Sequence, residues 1–247
     1  MKLKGQVAVI TGAGAGIGRA TALRFASEGA RIVIAELNHA AAVETARLVE
    51  EQGGEALAVR TDVADPASVA ELFAAVDRRG WPVDVLMNNA GHVDELTPLV
   101  ELSDQRWTLM LRVHLDGTFF CCREALKRMI PQKKGAIINV GSVAGLRGLP
   151  GASSYTAAKG AVIALTKGLS HEVAQHGIRV NCIAPGWIET RMIDYLPEKW
   201  RPRMVKDTPL GRIGQPEDIA SVALFLASDD AAFVVGQVIS PNGGMYR

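Results

Sequence analysis

The sequence has few cysteines and almost no net charge, and both features exclude classes of protein. Its 3 cysteines among 247 residues are Cys121, Cys122 and Cys182. Their spacing fits neither a disulfide framework nor a zinc site, so we expect buried thiols in a reducing compartment and no bound metal. The 27 basic and 26 acidic residues leave a net charge of +1. This balance indicates no surface for nucleic acid or for an anionic membrane.

Targeting and membrane-spanning segments are also lacking. Residues Met1 to Gln6 lead directly into an apolar strand, without the apolar stretch and cleavage site of a signal peptide. No apolar run is long enough to cross a bilayer. We therefore expect a cytoplasmic protein. With 247 residues and 48% hydrophobic side chains, the chain is long enough to bury a substantial core.

Apolar strand-like runs alternate with helix-like segments along the whole chain. The predicted strands are Val7–Thr11, Arg31–Ala35, Ala56–Arg60, Val83–Met87, Ala136–Val140, Ile178–Ile183 and Val234–Ile239. The predicted helices are Ile17–Ser27, His39–Gln52, Pro66–Arg78, Asp104–Met129, Tyr155–His176 and Pro216–Ala227. Parallel strands joined by helices need helices on both faces of the sheet. The pattern predicts an α/β fold, a single doubly wound domain over residues 1–247 with a seven-stranded, mostly parallel sheet.

One segment, Trp187 to Gly214, departs from this alternation. It contains three prolines and has no clean periodicity. Long irregular stretches inside a compact domain are more often functional than accidental. We expect a substrate lid at about 187–214, which together with the loop His92 to Leu96 forms a partly apolar pocket. The apolar candidates in the lid are Trp187, Met192, Tyr195, Leu196, Trp200 and Met204.

A glycine-rich turn, Thr11 to Gly18, follows the first strand. Its glycines permit positive φ and let backbone N–H groups approach a phosphate, which the next helix N-terminus also favours. Gly12, Gly16 and Gly18 give the spacing G-x-x-x-G-x-G rather than the common dinucleotide fingerprint. A tight turn that binds nothing is the alternative for this motif alone.

An acidic residue, Glu36, at the end of the second predicted strand supports the dinucleotide interpretation. Its carboxylate is placed to accept hydrogen bonds from the adenosine ribose hydroxyls and to repel a 2′-phosphate. No Arg or Lys follows at Leu37 or Asn38. The two features predict a Rossmann domain that prefers NAD(H), with NADP less favoured. A solvated acid at a strand end is the alternative.

Three polar residues suggest oxidoreductase chemistry. Ser142 follows the fifth predicted strand, and Tyr155 and Lys159 lie one helical turn apart on one helix face. A tyrosine can give a proton to a ketone, or take one from an alcohol, if a nearby ammonium lowers its pKa. A serine can hydrogen-bond the developing alkoxide. The three together predict interconversion of a secondary alcohol and a ketone by hydride transfer.

With these residues the chain resembles the short-chain dehydrogenase/reductase family over essentially its whole length. The matching motifs are Gly12, Gly16 and Gly18; Asp62-Val63; Asn88-Asn89-Ala90-Gly91; Ser142, Tyr155 and Lys159; Asn181; and Pro185-Gly186. The closing stretch, Gly236 to Tyr246, looks most like that of 3-oxoacyl-(acyl-carrier-protein) reductases. The resemblance implies that Tyr155 is the general acid/base and that Ile188 and Thr190 contact the nicotinamide carboxamide. It also implies a homotetramer built on the two longest helices.

The turn, Glu36 and the resemblance together assign a set of residues to the cofactor. They are Gly12, Gly14, Gly16, Ile17, Gly18, Glu36, Asp62, Val63, Asn89, Ala90, Gly91, Tyr155, Lys159, Pro185, Gly186, Ile188 and Thr190. The catalytic set is Ser142, Tyr155, Lys159 and His114. His114 stands where the family usually has an asparagine that holds a water linking the lysine to solvent, and a histidine can hold a water too.

Two other functions compete with an NAD(H)-dependent alcohol dehydrogenase or ketone reductase. A 3-oxoacyl-thioester reductase fits the closing stretch, but such enzymes usually use NADPH and Glu36 favours NADH. A catalytically silent dinucleotide-binding protein is the alternative of another class. The intact set of Ser142, Tyr155 and Lys159 counts against it, because a silent protein can lose any of them without harm.

Overall fold

Seven parallel strands form the centre of the structure, a computed structural model that describes residues 1–193 and 198–246. The strands are β1 (Val7–Thr11), β2 (Arg31–Glu36), β3 (Ala56–Arg60), β4 (Val85–Asn88), β5 (Gly135–Val140), β6 (Ile178–Ile183) and β7 (Val238–Ile239). They lie in the order β3-β2-β1-β4-β5-β6-β7. The prediction of seven strands is confirmed, and within the described residues every neighbouring pair is parallel rather than most of them.

Helices connect the strands. They are α1 (Gly16–Ser27), α2 (His39–Glu51), α3 (Pro66–Arg78), α4 (Asp104–Leu111), α5 (Gly117–Gln132), α6 (Val143–Arg147), α7 (Ser153–Val173), α8 (Arg201–Lys206) and α9 (Pro216–Ala227). Local sequence sets several of these ends. The carboxylate of Asp65 accepts a hydrogen bond from the N–H of Ala67 at 2.9 Å, and Pro66 occupies the first turn of α3.

The core has two halves, one on each face of the sheet. Alternate residues of β1 belong to opposite halves: Ile10 packs with Phe25 of α1, whereas Val9 packs with Phe73 of α3. Because both faces are covered, the strands are apolar without alternation, as the sequence indicated. None of the described helices is long and apolar enough to cross a membrane.

The predicted helix Asp104–Met129 is a continuous helical stretch that contains a π-helical turn. Its parts are α4, the π-helical segment (Arg112–Asp116) and α5, and the backbone stays in the right-handed helical region at both junctions. Pro131 lies inside the last turn of α5 instead of closing the helix, which ends at Lys133 in the left-handed conformation (φ 51°). A π-helical turn is uncommon and occurs frequently at functional sites. In this chain it carries His114.

The last strand is shorter than predicted, Val238–Ile239 instead of Val234–Ile239. The side chain of Asn181 intervenes, because its amide donates to the carbonyl of Val234 at 2.8 Å and its oxygen accepts from the N–H of Gln237 at 2.9 Å. Gly236 adopts a φ of 70°. These contacts replace the ladder over the first half of the predicted strand.

Candidate active site

A cleft opens at the carboxyl edge of the sheet, where open α/β folds bind ligands. One cavity, on the glycine-turn side, is lined by Gly12, Gly16, Glu36, Asp62, Val63 and Ala90, among others. A second cavity is lined by Ser142, Tyr155, Lys159, Pro185, Gly186 and Ile188, among others. The two share Ile17, Asn89, Gly91, Val93, Thr190 and Met192. They therefore form one continuous cleft.

The glycine turn packs closely against Ala90 and leads into α1. Gly12 and Gly16 have φ of 63° and 51°, and a Cβ on Gly12 would lie 2.8 Å from the Cα of Ala90. Helix α1 begins at Gly16 with no side-chain cap and no acidic residue in its first turn. Its terminal N–H groups therefore remain available to an anion. These features fit the pyrophosphate of a dinucleotide.

Two glycines of the turn act through packing and do not line the cleft. A Cβ on Gly18 would lie 2.3 Å from the carbonyl oxygen of Gly12, and one on Gly14 would lie 2.7 Å from Cγ of Glu36. Gly14 also donates its N–H to Oε2 of Glu36 at 3.1 Å. Both glycines thus allow the close packing of residues that line the cavity, Gly12 in one case and Glu36 in the other.

Glu36 is held at the far end of this cavity. One carboxylate oxygen accepts from Gly14, and the other accepts from the N–H of Asn38 at 3.1 Å. Asp62 and Val63 line the same cavity, as does the exposed side chain of Leu37. The structure therefore brings Asp62 and Val63, which the resemblance assigns to the cofactor, beside the acid predicted at the ribose.

Asn89 supports the turn. Its side-chain amide donates to the carbonyls of Thr11 and Gly12 at 3.0 and 3.1 Å. The hydroxyl of Thr11 accepts from the N–H groups of Asn89 and Ala90, both at 3.0 Å. Sequence analysis missed Thr11, and its position at the end of β1 was the available signal. The neighbouring Asn88 is buried and bonds Asn139 at 2.8 Å, so it connects β4 to β5.

Ser142, Tyr155 and Lys159 come together as predicted. Ser142 caps α6, its Oγ accepting from the N–H of Ala144 at 3.1 Å. The Nζ of Lys159 donates to the carbonyl of Val140 at 2.7 Å and lies 5.8 Å from the ring centre of Tyr155. Helix α6 lies directly against α7, because a Cβ on Gly145 would be 2.7 Å from the carbonyl carbon of Lys159.

Burial opposes the ionisation of Tyr155. We expect the ammonium of Lys159 to favour its phenolate, and this stays a prediction. Removal from water raises the pKa of Tyr155, because phenolate is disfavoured there, and a hydrogen bond with Ser142 opposes this only in part. Burial also lowers the pKa of Lys159 to about 8.

His114 lies against the catalytic tyrosine. Its ring meets that of Tyr155 edge-on, with centroids 5.4 Å apart, and stacks on His92 at 5.5 Å. Its Nε2 lies 2.8 Å from the carbonyl oxygen of His92, while its buried Nδ1 has no partner among the described residues. Burial, and then the charge of Lys159, hold the pKa of His114 well below its usual range. The ring occupies space that only Gly91 leaves open, since a Cβ there would lie 2.3 Å from Cε1.

The two ends of the segment predicted to be a lid are bonded to each other. Ile188 and Gly214 form a β-bridge, and the N–H of Gly214 donates to the carbonyl of Trp187 at 2.9 Å. The methyl of Thr190 would lie 3.1 Å from a Cβ on Gly16. The segment predicted to be a lid therefore begins beside the glycine turn.

The substrate side of the cleft is mostly apolar. Its apolar lining includes Leu96, Leu102, Met110, Leu149, Trp187, Met192, Ile193 and Met245. Two predicted lining residues do not face it, because Met204 packs with Ile193 and Ile213 in a separate cluster that Trp200 also contacts. Tyr195 and Leu196 lie outside the described residues. Sequence analysis missed Met110, Leu149 and Met245, which are distant along the chain, and two arginines, Arg106 and Arg147.

Comparison with known proteins agrees with this geometry. A family model described as enoyl-(acyl carrier protein) reductase matches residues 12–246. The 3-oxoacyl-(acyl-carrier-protein) reductase FabG of Thermotoga maritima is 40% identical over 245 residues, 99% of each chain. The chain belongs to the short-chain dehydrogenase/reductase family. It is an oxidoreductase whose relatives act on CH–OH and C=O groups.

Other relatives in the family carry different names. The cis-4-hydroxycyclohexanecarboxylate dehydrogenase of Sinomonas cyclohexanicum is 41% identical over 239 residues, 97% of this chain and 96% of that protein. The crystal structure of a short-chain type dehydrogenase/reductase from Mycobacterium marinum has a TM-score of 0.95 and 31% identity, covering 99% of this chain and 96% of that one. Membership of the family therefore defines the fold and the reaction class, and leaves the substrate open.

Proposed function

We propose that the protein is an NAD(H)-dependent oxidoreductase that interconverts a secondary alcohol and a ketone on a small, partly apolar molecule. The observation that carries the proposal is that Ser142, Tyr155 and Lys159 line one cavity, which shares several lining residues with the cavity at the glycine turn. A nicotinamide cofactor supplies the hydride when bound. The glycine turn and the free N–H groups of α1 suit its pyrophosphate, and Pro185, Gly186, Ile188 and Thr190 are the proposed contacts on the nicotinamide side.

The side chains provide the proton chemistry. Tyr155 donates its phenolic proton to the ketone oxygen during reduction and takes it back during oxidation. Ser142 hydrogen-bonds the same oxygen as negative charge develops there. The ammonium of Lys159 donates to the carbonyl of Val140. It places a positive charge beside the phenol and binds the cofactor ribose. His114 is neutral and positions the tyrosine ring; its unpaired Nδ1 is suited to a relay water.

Preference for NADH over NADPH rests on Glu36. Its carboxylate lies where the adenosine ribose is expected, and Asp62, which lines the same cavity, is also acidic. A 2′-phosphate beside Glu36 would be repelled by its negative charge. The ribose hydroxyls of NAD would instead donate to the carboxylate.

A 3-oxoacyl-thioester reductase is the second candidate, supported by the 40% identity with FabG. One screen separates the candidates: oxidation and reduction of cyclic alcohols and ketones, including cis-4-hydroxycyclohexanecarboxylate, and reduction of acetoacetyl thioesters, each with NADH and NADPH. Faster turnover of the small ketones with NADH supports the proposal. Faster turnover of the thioesters with NADPH supports the second candidate. Cofactor binding without any turnover would favour a silent dinucleotide-binding protein.

We expect the segment 187–214 to act as a lid that moves as a unit. In its described part, Arg201 forms an ion pair with Glu189, and the small apolar cluster around Met204 holds the segment together. Hydrogen exchange of Arg201–Lys206 should slow when NADH and an unreactive ketone analogue bind, because closure excludes water. Exchange in Pro216–Ala227 should stay constant as the internal control. Equal exchange of the segment in both states would argue against a lid.

We also propose a homotetramer assembled on α4, α5 and α7. Leu109 is 53% and Phe119 44% exposed, so these helices keep apolar surface that the sheet does not cover. On α7, Val162 is buried within the subunit. Light scattering at micromolar concentration should give the mass of four chains. A Phe119→Asp variant should shift it toward smaller species, and a monomeric parent protein would refute the assembly.

A further inference from the structure

Arg147 is a charged residue of the cleft that the reaction described above does not use. It lies on the substrate side with Asp94, Glu95, Arg106 and Lys159. Its guanidinium is exposed and has no hydrogen bond or ion pair with the part of the chain that the structure describes. The other cations on this side are engaged, since Lys159 bonds the carbonyl of Val140.

Arg106 is neutralised within its own loop. Its Nε pairs with the carboxylate of Asp94. Its other two nitrogens donate to the hydroxyl of Thr97 and the carbonyl of Glu95, both at 3.0 Å. Three of its five N–H donors and its charge are thus used in holding the loop, whereas Arg147 keeps both its charge and all of its donors for a ligand on this side of the described cleft.

The position of Arg147 relative to the catalytic serine is set by a short helix. Ser142 caps the start of α6 and Arg147 is its last residue. A helical rise of 1.5 Å per residue separates them by about 7.5 Å along the helix axis. The helix is held on both sides, by Gly145 against Lys159 and by the N–H of Leu149, which donates to the hydroxyl of Thr156 at 3.2 Å. The distance between the serine hydroxyl and the guanidinium is therefore limited mainly by the arginine side chain.

We propose that Arg147 binds an anionic group of the substrate, located several carbon atoms from the carbon that exchanges the hydride. The inference rests on the proposed function of this site. The lining between Ser142 and Arg147 is largely apolar, which suits the hydrocarbon part of such a molecule. A guanidinium pairs with carboxylate or phosphate through two parallel hydrogen bonds. A hydroxy or keto acid and the phosphate of a pantetheine thioester share this chemistry.

Binding of unreactive ligands tests the proposal without requiring turnover. Cyclohexanecarboxylate and the uncharged cyclohexanecarboxamide would be titrated calorimetrically into the protein–NADH complex, at one ionic strength. In Arg147→Gln the Kd of the carboxylate should rise about 10-fold, the lower end for a charge-assisted hydrogen bond at an exposed site. The Kd values of the carboxamide and of NADH should not change.

Glu95 provides the matched control, because it lines the same side and its carboxylate has no hydrogen-bond or ion-pair partner among the described residues. Glu95→Gln should leave carboxylate binding unchanged or strengthen it. Arg147→Lys should retain part of the affinity. The proposal is overturned if the parent protein binds the two ligands equally, or if Arg147→Gln weakens both to the same extent.

Kinetic measurements identify which anionic group of a substrate Arg147 binds. They also test this proposal separately from the oxidoreductase function on which it rests. A KM increase in Arg147→Gln for acetoacetyl-CoA, but not for the uncharged N-acetylcysteamine thioester, would assign the anion to a pantetheine phosphate. An increase confined to cis-4-hydroxycyclohexanecarboxylate would assign it to a substrate carboxylate. Turnover of uncharged cyclic alcohols supports the proposed oxidoreductase whether or not Arg147 contributes.

Discussion

Replacing Tyr155 with phenylalanine should reduce hydride transfer by about 10²–10⁴-fold, the usual contribution of general acid–base catalysis. The change removes only the hydroxyl. The edge-on contact between the Tyr155 and His114 rings is preserved, and Ser142 keeps its bond to the N–H of Ala144. Fold and cofactor binding should therefore persist. The measurement is single-turnover hydride transfer, with the Kd of NADH determined by fluorescence on the same protein.

Tyr246→Phe is the matched control for this experiment. It removes the same hydroxyl from a tyrosine that is 37% exposed and does not line the cleft. Its rate should equal that of the parent protein. Near-normal hydride transfer in Tyr155→Phe would show that another group supplies the proton.

His114→Asn should be tolerated, because a neutral side chain with a polar atom replaces another.

The pH dependence provides a second readout of the same assignment. Burial raises the pKa of Tyr155 above its ordinary value of about 10, so the phenol stays protonated through the physiological range. Ketone reduction needs this acid form and should change little until alkaline pH, whereas alcohol oxidation needs phenolate and should rise with pH. Lys159 loses its charge near its pKa of about 8, which opposes phenolate formation above that pH, and Lys159→Met isolates its part. An oxidation rate that falls between pH 7 and 10 would contradict the assignment.

The strands and the glycine turn were predictable because their causes are local. The run Val7–Thr11 is apolar at its first four positions, without the alternation of a half-exposed strand, as a strand buried on both faces requires. Gly12 and Gly16 need positive φ, and no other residue adopts it as readily. The common face of Tyr155 and Lys159 was predictable for a similar reason, since the two residues are one helical turn apart.

The irregular features depend on tertiary contacts and were not predictable. The π-helical segment places His114 into space beside Gly91 and Tyr155, and no periodicity within Asp104–Met129 signals that extra residue. Met204 looked like a lining residue, yet it packs into a cluster with Ile193 and Ile213. Nothing in the sequence around Arg147 marked it as a binding residue either. What distinguishes it is that it lines the cleft and has no hydrogen-bond or ion-pair partner among the described residues. The pKa of Tyr155 also depends on burial, which residue spacing does not reveal.

Cofactor preference should change when the charge beside the adenosine ribose is reversed. The parent protein should prefer NADH, and the double variant Glu36→Ala/Leu37→Arg should move the ratio of kcat/KM values toward NADPH by about 10–100-fold. The repulsive carboxylate is removed, and a charge-assisted hydrogen bond to the 2′-phosphate contributes about 1.5–3 kcal/mol. Leu37 is a suitable site, because its side chain is 55% exposed and lines this cavity.

Single variants separate the effect of removing the repulsive carboxylate from the effect of adding a cation for the phosphate. Glu36→Gln keeps an oxygen that can accept from Gly14 or Asn38 but removes the charge, so it should relieve repulsion and weaken NADPH discrimination without creating a phosphate partner. Leu37→Arg alone should gain less than the double variant, since Glu36 would compete with the phosphate for the new guanidinium. Thermal unfolding of each variant verifies that the glycine turn survives loss of the carboxylate. A parent protein that already prefers NADPH by kcat/KM would show that Glu36 does not govern the choice.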